Sequence, residues 1–373
     1  MREKEMNDCV GIINLDENET KMGELVINRP LASVPIAGRY RIIDFVLSNM
    51  TNSGIESIGI FTKNKSRSLI DHLTNGRPWD LHRNQNGLRV FNFCEVDPVY
   101  EDVHNFSENI EFFKRSHKEY LLLTPSYMLC NIDYQEVIDY HKKSGHDITM
   151  VYKKINDGKK SFVGCDVVNF DDLDEVVSIG ENVGRDNNIN ISMEVYVLKT
   201  SLFIDIVQDC LVSGMYKKVK SFIHDNLDSL RVGAYKFDGE LNCINSIKTL
   251  YDSNMKLLNR KMSKEIFRED RGIYTKAKDE APTHYTDTSN VKNSIIANGC
   301  YIEGEVENCV IGRRVFVGKD AKLKNCVVMQ DSIIEDNTLL DSVITDKGIK
   351  VKDGEKLIGS SLYPLVVMKK EYL

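Results

Sequence analysis

The sequence has no C-x-x-C pair, although it carries nine cysteines, an odd number. Many of these lie in apolar contexts, Cys94, Cys130, Cys165 and Cys326 among them. This excludes the disulfide framework of a small secreted domain and points to reduced, buried thiols in a cytoplasmic protein. The eight histidines show no ligand spacing, so no metal site is assigned to them. No apolar run reaches the ~18 residues of a membrane span. The stretch from Met1 to Asn7 lacks the apolar middle of a signal peptide. A surplus of positive charge is missing too. The net charge of -7 disfavours nucleic acid or an anionic membrane as a partner. What remains is ordinary for a globular chain: 42% hydrophobic and 28% charged residues over 373 positions, enough for one large domain and a smaller one without cross-links.

The first part alternates short apolar runs with helical patterns. Val10 to Ile13, Ser57 to Thr62, Tyr120 to Leu123 and Ile148 to Tyr152 read as buried strands. Arg67 to Leu73 reads as a helix, and Asp133 with Glu136 reads as a capping box opening a helix toward Ser144. This β–α alternation predicts an α/β domain with a mostly parallel sheet, helices on both faces, and chemistry at the carboxyl ends of its strands. The last part follows a different rule. Aliphatic residues recur every six positions: Ile296 and Ile302; Ile311, Val317 and Leu323; Val328, Ile334 and Leu340. A small or branched residue follows each by four. This hexapeptide repeat predicts a parallel β-helix of about three coils, with register breaks before Ile311 and Val328. The segment Glu280 to Thr283 marks the boundary, giving domains of residues 1–285 and 286–373.

The segment from Asn28 to Gly54, N-R-P-L-A-S-V-P-I-A-G-R-Y-R-I-I-D-F-V-L-S-N-M-T-N-S-G, closely resembles ADP-glucose pyrophosphorylase (glucose-1-phosphate adenylyltransferase). Weaker likeness runs through Asn131–Tyr134, Ser192–Val197 and Ala234–Phe237, and it strengthens again from Ile273. The resemblance implies a Rossmann-like, GT-A-like nucleotidyltransferase domain followed by a left-handed β-helix. It also implies adenylyl transfer from ATP to glucose 1-phosphate. That chemistry needs a glycine-rich phosphate cradle, cations on the phosphates and carboxylates on Mg²⁺.

Each of these parts is replaced here. Three family glycines of the cradle fall on Asp16, Glu17 and Glu19. A carboxylate ~4 Å from a phosphate costs about 1 kcal/mol in water and about 4 kcal/mol at an effective dielectric near 20. The loop is therefore expected to be a solvated acidic turn rather than a triphosphate site. The family lysines fall on Leu31 and Asn182, leaving Lys21 as the surviving cation of the pattern. The metal aspartates fall on Tyr127 and Cys243, neither of which offers Mg²⁺ a hard carboxylate. No catalytic residue, metal or cofactor is assigned.

This loss pattern resembles the regulatory, GlgD-type branch of the family, as do the runs Gly76–Leu81 and Ile273–Glu280. The branch implies a hetero-oligomer, a tetramer with the catalytic subunit, that alters the response to a sugar-phosphate effector. Arg29 and Arg41 match effector-binding arginines of the family; internal ion pairing is the competing role for both. Three other functions compete. An active nucleotidyltransferase with a relocated site could draw on Asp97, Asp102, Asp166 or Asp225. An acyltransferase on the β-helix needs a histidine between coils, and none follows His284. A purely structural protein would use its coil edges for assembly alone.

Overall fold

The computed structural model describes residues 8–63, 65–83, 86–93 and 101–368, so Cys94 and Asp97 lie outside the described residues. The chain divides into two compact units, each built from separated segments. The first holds residues 8–17, 45–241 and 270–274; the second holds 18–44, 242–269 and 275–368.

The first unit is organised on one large sheet. Its strands are β1 (Cys9–Asn14), β2 (Ser57–Thr62), β3 (Gly87–Asn92), β4 (Tyr120–Thr124), β5 (Ile148–Ile155), β6 (Asp166–Phe170), β7 (Val176–Glu181), β8 (Ile189–Lys199) and β9 (Val232–Lys236). The order is β7-β6-β8-β4-β1-β2-β3, with β5 pairing β8 and β9 pairing β5. Strands β4, β1, β2 and β3 are parallel, as are β5 and β9. The long strand β8 runs antiparallel to its neighbours β4, β5 and β6. The sheet is mixed for that reason. The continuous apolar runs of β1 and β2 fit strands covered on both faces, and every residue of β2 is buried. A phenylalanine cluster of Phe61, Phe106, Phe113 and Phe203 fills one face. Helix Arg67–Leu73 has the expected limits. Asp133 does cap helix Tyr134–Ser144, but through Gln135 N–H at 3.0 Å. The expected box with Glu136 is not formed: Asp133 also accepts from Ser53 Oγ at 3.1 Å and from Arg271 at 2.8 Å, and the Glu136 carboxylate accepts from the Tyr235 phenol at 3.3 Å.

The polar run Ser48 to Ser53 serves as scaffold. Asn49 donates to Cys130 O at 3.0 Å, Asn52 to Gly272 O at 2.9 Å, and Ser48 Oγ accepts from Tyr274 N at 2.8 Å. Two of these side chains tie the segment Asp270–Tyr274 to the body of the first unit.

The second unit contains the left-handed β-helix. Each of its three faces carries five parallel strands, so five coils are present rather than about three. The outer coils were illegible because their inward positions are shared among less regular residues, such as Val291 and Leu357. Ile302, Ile311, Val317, Leu323, Val328, Ile334 and Leu340 all point inward and are at most 2% exposed. At one corner the step from Val306 to Ile311, and again from Leu323 to Val328, is one residue short of the repeat. This corner turns on a single residue in the left-handed region: Asn293, Asn308, Asn325 and Ser342 in successive coils. Asparagine tolerates that backbone better than most residues. The amides also stack: Asn293 donates to Asn308 at 2.6 Å, Asn308 to Asn325 at 3.5 Å, and Asn325 to Asp341 at 3.2 Å. Tyr251 of helix Ile247–Lys256 donates to Asn325 O at 2.8 Å. Gly38 has φ +74, and a Cβ there would stand 2.8 Å from Ile311 O, so only glycine permits this approach to the coil. Among the described residues no helix is long and apolar enough to cross a membrane.

Candidate functional site

In the first unit the polar groups converge at the carboxyl end of β1, where a parallel sheet presents its ligand site. Asp16 follows β1 and is the centre of this region. Its carboxylate pairs with Lys63 and, at 2.8 Å, with Lys218. Burial works to lower the Lys218 ammonium, but Asp16 together with Glu101 and Asp102 holds the lysine above its usual value. Glu17 Oε1 accepts from Ser126 N–H at 2.5 Å. In the second unit Glu19 Oε1 accepts from Leu31 N–H, also at 2.5 Å. The acidic loop is therefore not the solvated turn expected from sequence. Asp16 has only 8% of its side chain exposed, because two lysines distant in sequence compensate it. No local pattern signals those lysines.

Behind Asp16 lies Asp102, buried, accepting from Asn14 Nδ2 and from Val219 N–H, both at 3.0 Å. Burial, and then the charge of Asp16, push its carboxyl up to about 7.

A second network surrounds Tyr127. Its phenol donates to Glu194 at 2.8 Å. Lys220 bridges Glu194 at 2.5 Å and Asp166 at 2.7 Å, and His224 faces Asp166 at 3.8 Å. Burial pulls the Lys220 ammonium down, yet Glu194 and Asp166 together leave it above its ordinary value. Burial also lowers the His224 imidazole. Glu194 sits at φ 53, where the β8 register shifts between Ser192 and Val195. A non-glycine residue there is strained by about 1 kcal/mol or more, and its two partners hold it in place.

The four positions where family groups are replaced are divided between the units. Tyr127 and Asn182 belong to the first unit, Leu31 and Cys243 to the second. All four are buried. Asn182 is a staple: its amide donates to Gly158 O, Ser161 O and Phe162 O and its oxygen accepts from Gly184 N–H. Lys21 is exposed. A phenol engaged by Glu194 and a buried thiol do not suit Mg²⁺, which takes hard oxygen donors. Among the described residues no group of three or more His, Cys, Asp or Glu could hold a metal ion. Of the spare carboxylates, Asp166 is bound to Lys220, Asp102 is buried on Asn14, and Asp225 is exposed at the end of helix Val219–Asp225.

The second unit gathers cations. Arg29 is buried, donating from Nε to Leu25 O at 2.8 Å and from Nη2 to Asp346 at 2.6 Å. Next to Asp346, Lys347 is pushed down to about 7 by burial and then by the charges of Arg41 and Arg29, with Lys278 adding to the effect. Arg41 N–H donates to Asp44 at 2.9 Å. Both predicted arginines thus bear on one lysine, which no sequence motif had singled out.

Comparison with known proteins agrees with this architecture. The nucleotidyl transferase family pattern matches residues 20–259, and the GlmU-like C-terminal hexapeptide pattern matches 280–362. The glycogen biosynthesis protein GlgD of Bacillus subtilis (strain 168) is 35% identical over 97% of this chain and 96% of its own length. That of Geobacillus stearothermophilus is 38% identical over 84% of this chain and 82% of its own. The glucose-1-phosphate adenylyltransferase of Bacillus cytotoxicus is 28% identical over 93% and 94% respectively. On fold, motif and these matches, the chain belongs to the nucleotidyl transferase family, in the group formed by GlgD proteins and glucose-1-phosphate adenylyltransferases.

Proposed function

We propose that the chain is a regulatory subunit of glucose-1-phosphate adenylyltransferase in glycogen biosynthesis, working in the cytoplasm and deficient in turnover on its own. One observation carries this reading: the groups that could receive a triphosphate are occupied by the chain's own carboxylates. Asp16 takes Lys63 and Lys218, and Glu17 takes the Ser126 N–H. A phosphate entering here would have to displace tethered anions held at high effective concentration. Glu194, in the same way, takes Lys220 and Tyr127. The partner is the catalytic homologue, in a mixed tetramer. Regulation requires that the two subunits bias a common two-state equilibrium.

The effector fitting the second unit is a small phosphorylated sugar at Arg41, Lys278 and Lys347, beside the Arg29–Asp346 pair. Three like charges around a half-buried lysine are relieved by an anion, and arginine suits phosphate. The test is direct. The purified chain is given ATP, glucose 1-phosphate and Mg²⁺, and forms little ADP-glucose. It is then titrated into the catalytic subunit while mass and rate are followed. Robust turnover alone, or no change in mass and rate at micromolar concentration, sinks the proposal.

A further inference from the structure

The run Gly76 to Leu81 plays no part in the sites above, yet it walls a cavity in the first unit. This cavity has a volume of about 360 Å³ and is lined by Thr51, Asn52, Glu56, Arg77, Trp79, Asp80, Arg83 and Tyr274, with Ile55, Pro78 and Leu81 as its apolar part. Its size lies in the ~300–1,000 Å³ range of small-molecule sites. The wall is a built structure. Gly76 and Asp80 both adopt left-handed backbone on either side of a tight turn, closed by Trp79 N–H and Leu81 N–H donating to Gly76 O, each at 3.0 Å. Asp80 is not glycine, so its φ of 56 stores strain. Its carboxylate pairs with Arg83 at 2.9 Å, while Glu56 holds the same guanidinium at 2.8 Å.

The charges define the ligand. Two carboxylates share Arg83, and Arg77 supplies a second cation at the exposed rim. The lining is therefore neutral in sum. An anion would meet Glu56 and Asp80, and a cation would meet the two arginines. Planar donors and acceptors remain, together with the half-exposed ring of Tyr274 and the indole N–H of Trp79, which is buried and unpartnered among the described residues. A neutral polyhydroxylated ring satisfies this set: hydroxyls pair with Asp80, Glu56 and the arginines, and its C–H face lies on the aromatic ring.

We infer that this cavity binds a neutral saccharide, either a free hexose or short oligosaccharide or the end of a glucan chain. Trp79 is the only tryptophan in the sequence, so its emission reports the cavity directly. The full-length protein is titrated with glucose, maltose, maltotriose and glycogen, and in parallel with inorganic phosphate and glucose 1-phosphate. A saturable change with neutral sugars at millimolar concentration, unaffected by salt, is expected; glycogen against maltose separates a chain end from a free sugar. Arg77→Gln at the exposed rim, and separately Tyr274→Ala, should weaken the response at least about fivefold with unchanged melting. No saturable response to any neutral sugar overturns the inference. So does a response confined to the phosphorylated ligands and lost in salt, or one that neither variant alters.

Discussion

Asp102 makes the stability of this protein depend on pH in a direction opposite to most carboxylates. Its side chain is buried beside Asp16, and its carboxyl is raised from 3.8 to about 7, by burial first and by Asp16 second. The folded state therefore binds this proton more tightly than the unfolded chain does. The resulting stability is fully present below about pH 4 and is lost as pH rises through about 7. At 1.36 kcal/mol per pH unit, the full shift corresponds to about 4 kcal/mol. Other carboxylates oppose the trend, since Lys236 lowers Asp238 and Lys350 lowers Glu335. The difference between wild type and Asp102→Asn cancels those contributions. Asparagine keeps an acceptor for Val219 N–H, and its amide can pair with Asn14 after that side chain turns. Urea denaturation of both proteins at pH 5, 6, 7 and 8 should show the wild type losing ground to the variant at each step. A difference that stays constant from pH 5 to pH 8 would refute the assignment of a raised carboxyl at this position.

The remaining predictions concern both units. Thr345 stacks on Val328 inside the β-helix, and its buried hydroxyl has no partner among the described residues, so Thr345→Val should raise stability by about 1 kcal/mol, read as a higher melting temperature. Asn325→Ala loses both the left-handed preference and the amide stack, for a loss of about 2 kcal/mol; Asn325→Gly should recover the backbone share of that loss. Asp16→Asn frees Lys63 and Lys218, and should create salt-sensitive binding of tripolyphosphate, measured by calorimetry, without any ADP-glucose formation. Lys347 is lowered to about 7 from 10.5, so its contribution makes stability rise with pH between those values. Lys347→Met should flatten that rise and reduce the thermal stabilisation given by phosphate.

What the sequence made legible followed from local periodicity. The strand Ser57–Thr62 and the helix Arg67–Leu73 have the limits their patterns predict, because their burial is set by neighbours within one turn or one pleat. The six-residue rhythm placed Val317, Ile334 and Leu340 inside the β-helix. What it hid depends on pairing across long separations. Asp16 meets Lys218, Glu17 meets Ser126, and Asp133 meets Arg271. The outer coils were missed because His284–Tyr285 and Lys356–Ile358 keep the fold by pairing with regular neighbours, not by repeating the pattern themselves. The replaced positions Leu31, Tyr127, Asn182 and Cys243 could be read as losses, but not as gains. That Asn182 ties a loop together, or that Tyr127 anchors Glu194, follows only from their surroundings in three dimensions.

The carboxylates that fill the end of β1 have a consequence for how this protein experiences the cell's energy state. A loop that closes on nucleotide is ordered only while nucleotide is abundant, so its shape follows the supply of ATP. Here the closing anions are Asp16 and Glu17, covalently part of the chain, and they cannot be depleted. That filling does not depend on the supply of nucleotide. On the regulatory role proposed above, the response to metabolic change falls to the cation cluster around Lys347 rather than to the end of β1.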